Sequence, residues 1–223
     1  GSNYSISGTS QLISVPYALY AEKCGSGDPW LINGNLATTV GTHFLGTIDD
    51  EPLMFKVNNV EAGYIDYDFN KANTGFGYQT LISNTTGHSN TANGYNALLN
   101  NTTGLHNTAI GKEALRDNSE GNNNIALGSE ALSYNTTGSL NVASGTSTMR
   151  FSTIGNYNTA VGTWALYDNT EGSSNAAYGT KALRSNITGN NNTAVGYAAD
   201  VVSGNLINAT AIGNGAIATA SDE

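Results

Sequence analysis

The residues of this chain that could do chemistry are three histidines, one cysteine and a scatter of carboxylates. His88 and His106 sit near equivalent turn positions, so a stacked pair could hold a metal. No cysteine or carboxylate column joins them, and a tetrahedral site needs such partners, so two scattered, exposed turn residues are expected. His43 stands alone. Asp117, Glu120, Asp168 and Glu171 recur in corresponding turns three repeats apart, farther than the roughly 5–9.5 Å that paired acid–base carboxylates require. Asp49, Asp50 and Glu51 could bind a cation, but charge runs are usually solvated, and a solvated turn is expected. Cys24 is the only cysteine; one per chain makes neither a disulfide framework nor a thiolate metal site, so a free thiol is expected. No Gly-x-Ser-x-Gly elbow occurs, and no aspartate column of a calcium-binding roll. The expectation is a protein without catalytic residues, cofactor or metal. What remains are aromatics in turns, Tyr134, Phe151, Tyr157, Trp164 and Tyr167, and aromatics are the usual anchors of recognition surfaces.

All of these hang on one repeat. From Asn73 to Ala220 the chain restates a sentence every 17 residues, clearest in Asn107-Thr-Ala-Ile-Gly-Lys-Glu-Ala-Leu-Arg-Asp-Asn-Ser-Glu-Gly-Asn-Asn123. A glycine column runs through Gly77, Gly94, Gly111, Gly128, Gly145, Gly162, Gly179, Gly196 and Gly213. Alanine lies two places before each from Ala92 to Ala211, and a large apolar residue four places after, as at Leu81, Leu98, Leu115, Leu132, Met149, Leu166, Leu183 and Ile217, with Asp200 the one break. A second glycine column runs from Gly87 to Gly189. A strict short period means a solenoid.

Within one copy, Thr108-Ala-Ile110 alternates as a strand, with Ala109 on the opposite face. Gly111 bends the chain, Glu113 to Arg116 reads as a second short segment running back, and Asn-Thr-Thr-Gly at 84–87, 101–104 and 135–138 closes the turn. The Asn column at 84, 101, 118, 135, 169 and 186 reads as a turn-forming ladder, and the Asn-x-Thr sequons at 84, 101 and 135 follow from the turn. One copy is one flattened coil of an all-β parallel solenoid. At the usual strand spacing, nine coils give a rod section roughly 40 Å long. Helical repeats need about 34 residues for two helices, and the two glycines and Asn-Thr-Thr run leave no room for them here.

Charged residues make up 11% of the chain, against about 25% in an average globular protein, so Asn, Thr, Ser and backbone must solvate the surface. The net charge of −9, with only 8 Lys and Arg, argues against a nucleic-acid partner. No apolar run approaches the ~20 residues of a membrane helix. One coil offers few large apolar side chains, such as Ile110 and Leu115, and no aromatic column fills a lumen. Lateral association is therefore expected, with one apolar column (Ile/Val or Leu) in the lumen and the other facing identical chains around a symmetry axis. The periodicity leaves open which is which.

Outside the repeat, Gly1-Ser2 reads as a cloning remnant, so upstream sequence is expected. Residues 1–27, with Pro16 suited to start a short helix, read as a connector from a preceding domain. Residues 28–72 read as a small β meander capping the solenoid, with strands at 41–46 and 53–57 and a tight hairpin turn at Asn58-Asn59. The repeat body spans 73–220.

The pattern Asn-Thr-Ala-Ile-Gly-x-x-Ala-Leu, at Asn107–Leu115, Asn158–Leu166, Asn192–Ala199 and Thr210–Ala218, resembles the head repeats of trimeric autotransporter adhesins. Those heads have a shorter period; the departure here is the period of 17 with its added Asn-Thr-Thr-Gly turn. The segment His43–Asn59 resembles bacterial and phage fibre proteins that end in an intramolecular chaperone domain, and 221–223 resembles the start of the neck before it. The resemblances imply a left-handed β-roll in a homotrimer, on a cell surface or outside the cell, or else on a virion tail fibre. They imply attachment to a surface receptor, a glycan or an extracellular protein, without catalysis or membrane insertion by this segment. Two other readings of the repeat are an ice-binding solenoid using a threonine ladder (Thr91, Thr108, Thr159, Thr193 and Thr210, interrupted at Ile125, Val142 and Ala176) and a polysaccharide-binding tailspike.

Overall fold

The computed structural model describes residues 51–66 and 71–222. Cys24, His43, Asp49, Asp50, the 1–27 connector and the 41–46 strand lie outside the described residues, as does Glu223. Among the described residues every regular element is a strand, and no helix is long and apolar enough to cross a membrane.

The strands are β1 (Leu53–Val57), β2 (Val60–Ile65), β3 (Thr74–Phe76), β4 (Thr91–Asn93), β5 (Thr108–Ile110), β6 (Ile125–Leu127), β7 (Val142–Ser144), β8 (Thr159–Val161), β9 (Ala176–Tyr178), β10 (Thr193–Val195), β11 (Asp200–Val201), β12 (Thr210–Ile212) and β13 (Ile217–Ala218), with β3 to β10 and β12 recurring once per coil. One 11-stranded sheet runs β1 through β10 and then β12, parallel from β3 onward. Its register is the sequence period itself: Thr91 faces Thr108, and Ala92 faces Ala109. The chain is a parallel β-solenoid.

The β1–β2 hairpin lies on the outer edge of β3, antiparallel to it. Asn58 and Asn59 have φ of 49° and 61°, the left-handed pair that a two-residue turn needs and asparagine tolerates. A β-bulge at Phe55/Lys56 shifts the register, and Phe55 packs on Phe76 at 5.4 Å. The hairpin thus covers an edge that would otherwise present unpaired backbone groups.

The lumen is filled by small residues and one large one. In a central coil Ala109, Ala114 and Leu115 are fully buried. The Leu column therefore faces inward from Leu81 to Leu183, whereas Ile217 at its last position is exposed. The Ile/Val positions one place before each glycine face outward: Ile110, Leu127, Val161, Val195 and Ile212 are all exposed.

The expected second segment is not extended in these coils. Glu113 and Leu115 have φ of 56° and 49°, so every second residue after Gly111 is left-handed and the chain folds as tight turns. A left-handed leucine costs roughly 1–2 kcal/mol, and burying its side chain returns roughly 1.5–3 kcal/mol, so burial holds the turn. The turn amides bond to both neighbouring coils: Glu113 N–H donates to Tyr95 O (2.8 Å) and Leu115 N–H to Ala131 O (3.0 Å). Only at the last coils does this stretch become a strand, where β11 pairs with β13.

Two asparagine columns are internal. Asn107 Nδ2 donates to Gly121 O (2.8 Å), and Asn107 Oδ1 accepts from Asn124 N–H (2.9 Å). Asn118 Nδ2 donates to the same Gly121 O (3.0 Å) and to Asn101 Oδ1 (2.8 Å). The second column closes the turn, as its sequence suggests, and also bonds coil to coil. The first, from Asn73 to Asn192, is as deeply buried. Asn101 and Asn135 are likewise fully buried, so their sequons are closed in the folded chain.

Ser152 interrupts the second column, leaving Asn135 Oδ1 and Ser152 Oγ buried without partners. Ser152→Asn would place an amide between Asn135 and Asn169. An unmet buried polar group costs about 1–3 kcal/mol, and the variant is expected to gain about 1–2 kcal/mol in thermal or denaturant unfolding. A lower melting point would mean that this coil has no room for the amide.

Candidate functional site

The coil that carries Ser152 departs from the repeat at four other places: Ser144 replaces the outward apolar residue, Thr148 the alanine, Met149 the leucine, and Phe151 stands where Asp117 does. Natural sequences tend to break their own local rules at functional sites. The two residues after the inward leucine line one corner of the central coils, mostly part-exposed, with Ser133 buried, so this corner carries two side-by-side columns. One reads Arg116, Ser133, Arg150, Tyr167, Arg184; the other reads Asp117, Tyr134, Phe151, Asp168, Ser185. All three arginines of the chain are on this corner.

Coil-to-coil backbone bonds fix the spacing, from Tyr134 N–H to Arg150 O (3.1 Å) and from Phe151 N–H to Tyr167 O (3.3 Å). The Tyr134 and Phe151 rings stack at 5.3 Å and 20°, and Phe151 meets Tyr167 edge-on at 5.1 Å and 86°. Arg116 caps Tyr134 with Cζ 4.7 Å from the ring centre. Arg184 lies between Tyr167 (5.6 Å) and Trp164 (5.7 Å), and Lys181 Nζ is 5.5 Å from Trp164. Each such contact contributes about 0.5–1 kcal/mol at an exposed site.

The arginines also hold carboxylates. Arg116 pairs with Asp117 and, at 3.2 Å, with Glu113; Arg150 Nε is 3.2 Å from Glu130. Hydrogen bonding to Asp117 raises the Arg116 pKa. For Asp117, burial pushes the carboxyl up, but the bond and charge of Arg116 and the Asn100 amide outweigh it and hold it below the usual value. Its stabilising contribution is present at neutral pH and is lost only as pH falls through that lowered value. Asp168 is more open, with Arg184 Nε at 4.0 Å.

Where the rings of Tyr134 and Phe151 give way to the smaller Asp168 and Ser185, the corner opens into a cleft of about 590 Å³. Its other walls are Thr153, Thr170 and Ile187. The hydroxyls of Thr153 and Thr170 donate to carbonyls of the next coil, at 3.0 and 3.2 Å.

Of the five aromatics singled out by sequence, the structure brings Tyr134, Phe151, Tyr167 and Trp164 into one chain of ring and cation contacts. Tyr157 is not part of it: it stands in the turn before Asn158, at another corner, 64% exposed. The arginines were missed, although Arg116, Arg150 and Arg184 recur every second coil in the sequence. The two histidines are not scattered. Adjacent coils bring His88 and His106 edge-to-face at 5.2 Å, and His88 Nδ1 is 3.3 Å from Ser89 Oγ. Among the described residues, no three His, Cys, Asp or Glu side chains gather as a metal site.

Asp200, the break in the leucine column, accepts bonds from the amides of Ser185 (3.1 Å) and Val201 (2.9 Å). Burial nevertheless raises its pKa above the usual carboxylate value, against the opposing amide bonds. A raised folded-state pKa means that the ionised group destabilises the fold at neutral pH, and that the penalty lifts as pH falls towards the unfolded value of about 3.9. Asp200→Asn keeps an acceptor oxygen for both amides. It is expected to melt higher than the parent at pH 7 and to lose that advantage near pH 4. A lower melting point at pH 7 would show that the amide bonds outweigh burial.

Comparison with protein families, with characterised proteins and with solved structures finds no match to this chain.

Proposed function

We propose that the chain is the rod of a homotrimeric attachment fibre, a non-enzymatic adhesin head on a cell surface or a virion that meets its receptor through repeated side contacts. The observation that carries this reading is the outward apolar column. Phe76, Ile110, Leu127, Val161, Tyr178, Val195 and Ile212 are 37–69% exposed, in register along one sheet face. Asn93 and Ser144 interrupt the column, but exposed apolar side chains recurring along one face mark an interaction surface. A partner that meets it at every coil must repeat at the coil spacing, and another copy of the chain does so automatically. Closed symmetry about an axis along the stack would bury the column.

A second reading draws on the neighbouring column. Thr74, Thr91 and Thr108 are aligned, as are Thr193 and Thr210, a threonine ladder of the kind an ice-binding solenoid would present. Ile125, Val142 and Ala176 interrupt it.

Light scattering separates the two. The fibre reading expects a species near three times 23.1 kDa. A monomer would overturn it, and inhibition of ice recrystallisation would then be the property to measure.

A further inference from the structure

The cleft beneath Phe151 has a chemistry of its own, and we propose that it is a saccharide subsite, taking a neutral pyranose unit of a surface glycan. The proposal rests on the attachment reading and names its ligand class. Four features of the corner carry it.

The first is shape. The column Tyr134, Phe151, Asp168, Ser185 steps from two stacked rings to two short polar side chains, leaving an open cleft of about 590 Å³. That size lies within the range of small-molecule sites, which are mostly apolar with a few placed polar groups. Second, the wall and floor are complementary in kind. The Phe151 ring and the Ile187 side chain offer apolar surface to the C–H groups of a sugar ring. Asp168 and Ser185 offer oxygen atoms to its hydroxyls, and hydrogen bonds to a charged acceptor are stronger than neutral ones.

Third, the charge balance disfavours an anion. Arg116 and Arg150 are engaged by Asp117, Glu113 and Glu130. Asp168, the charged group within the cleft, is negative. A sulfated or phosphorylated ligand would meet the Asp168 carboxylate, which Arg184 of the same corner faces at 4.0 Å. Fourth, the backbone is already in use. Amides at this corner donate to the next coil, from Tyr134 to Arg150, from Phe151 to Tyr167 and from Asp168 to Arg184. An extended peptide that binds by adding a strand needs free main-chain groups, so a side-chain-recognised polyol suits the cleft better.

Saturation-transfer NMR tests the assignment, with the whole chain and soluble oligosaccharides of glucose, galactose and N-acetylglucosamine as probes and a heparin oligosaccharide as the anionic arm. Transfer to ring C–H protons of at least one neutral probe is expected. Phe151→Ala is expected to weaken that binding at least tenfold and Asp168→Asn severalfold, while Tyr157→Ala leaves it unchanged; circular dichroism checks that each variant is folded. Absence of transfer to every neutral probe overturns the proposal. So does neutral binding that both Phe151→Ala and Asp168→Asn retain in full, or binding confined to the heparin probe. Mass measured on the same sample keeps the two readings apart: a trimer without neutral binding removes the subsite only, and a monomer that binds removes the trimer only.

Discussion

Gly111→Ala is expected to destabilise the stack by about 2–6 kcal/mol, roughly 1–3 kcal/mol from backbone conformation and 1–3 kcal/mol from overpacking. Gly111 has φ of +136°, and a Cβ there would lie 2.5 Å from Gly128 O and 2.6 Å from Gly128 C. Those atoms are backbone of the next coil, held by the same bonds that hold the stack, so the clash cannot be relieved by rotating a side chain. Gly213 is the internal control. Its φ is +124°, but the nearest atom to an added Cβ is Ala216 Cβ at 3.9 Å, so Gly213→Ala should cost only the conformational part, about 1–3 kcal/mol. Denaturant unfolding followed by Trp fluorescence compares the two. Equal losses would show that close approach of neighbouring coils is not what selects glycine in this column. In a quasi-one-dimensional stack a central defect also divides the coils into two blocks, so the Gly111 variant should unfold over a broader range than the parent.

The second large effect concerns assembly. If the chain assembles as proposed, Ile110→Asp combined with Leu127→Asp is expected to convert the trimer into monomers while the β signal in circular dichroism persists. Both side chains are outward-facing neighbours in register, 45% and 38% exposed in the single chain, so an isolated coil tolerates a carboxylate at either place. Around a threefold axis the same change would bring three like charges together at two successive levels without counter-charges, and such buried charges cost several kcal/mol each. Light scattering at micromolar concentration reads the outcome. A double variant that remains trimeric would move the interface to another face of the coil.

How much was legible follows from the geometry of stacking. Residues 17 apart in sequence become direct neighbours, so period, glycine columns and strand register could be read off the chain, as could the Asn58-Asn59 turn. Inward and outward sides could not. Strand alternation puts Ala109 opposite Ile110, but it cannot say where Leu115 points, because left-handed residues at 113 and 115 break the alternation between them. The buried first asparagine column was hidden for another reason: polarity argues for solvent, and only the partnering of Asn107 with Gly121 and Asn124 makes its burial acceptable. The arginine and aromatic corner was visible in principle. Tyr134 and Phe151 are one period apart, and the arginines two; reading each column downwards, rather than each coil across, brings them together.

Coil-to-coil bonding also sets the grain in which such a rod can vary. Each coil bonds its backbone to the coils on either side, and the sheet register equals the sequence period. Removing or duplicating 17 codons therefore leaves every remaining side chain facing as before and changes the length by one strand spacing, about 4.8 Å. A gain or loss of 16 codons would instead slip every later residue by one place, putting a threonine or an outward apolar residue where the inward alanine of the strand belongs. A lineage carrying this architecture can lengthen or shorten its reach by unequal recombination between near-identical segments, in discrete steps, without redesigning a core. The coil bearing Phe151 and Ser152, unlike its neighbours, moves along the rod as those steps accumulate.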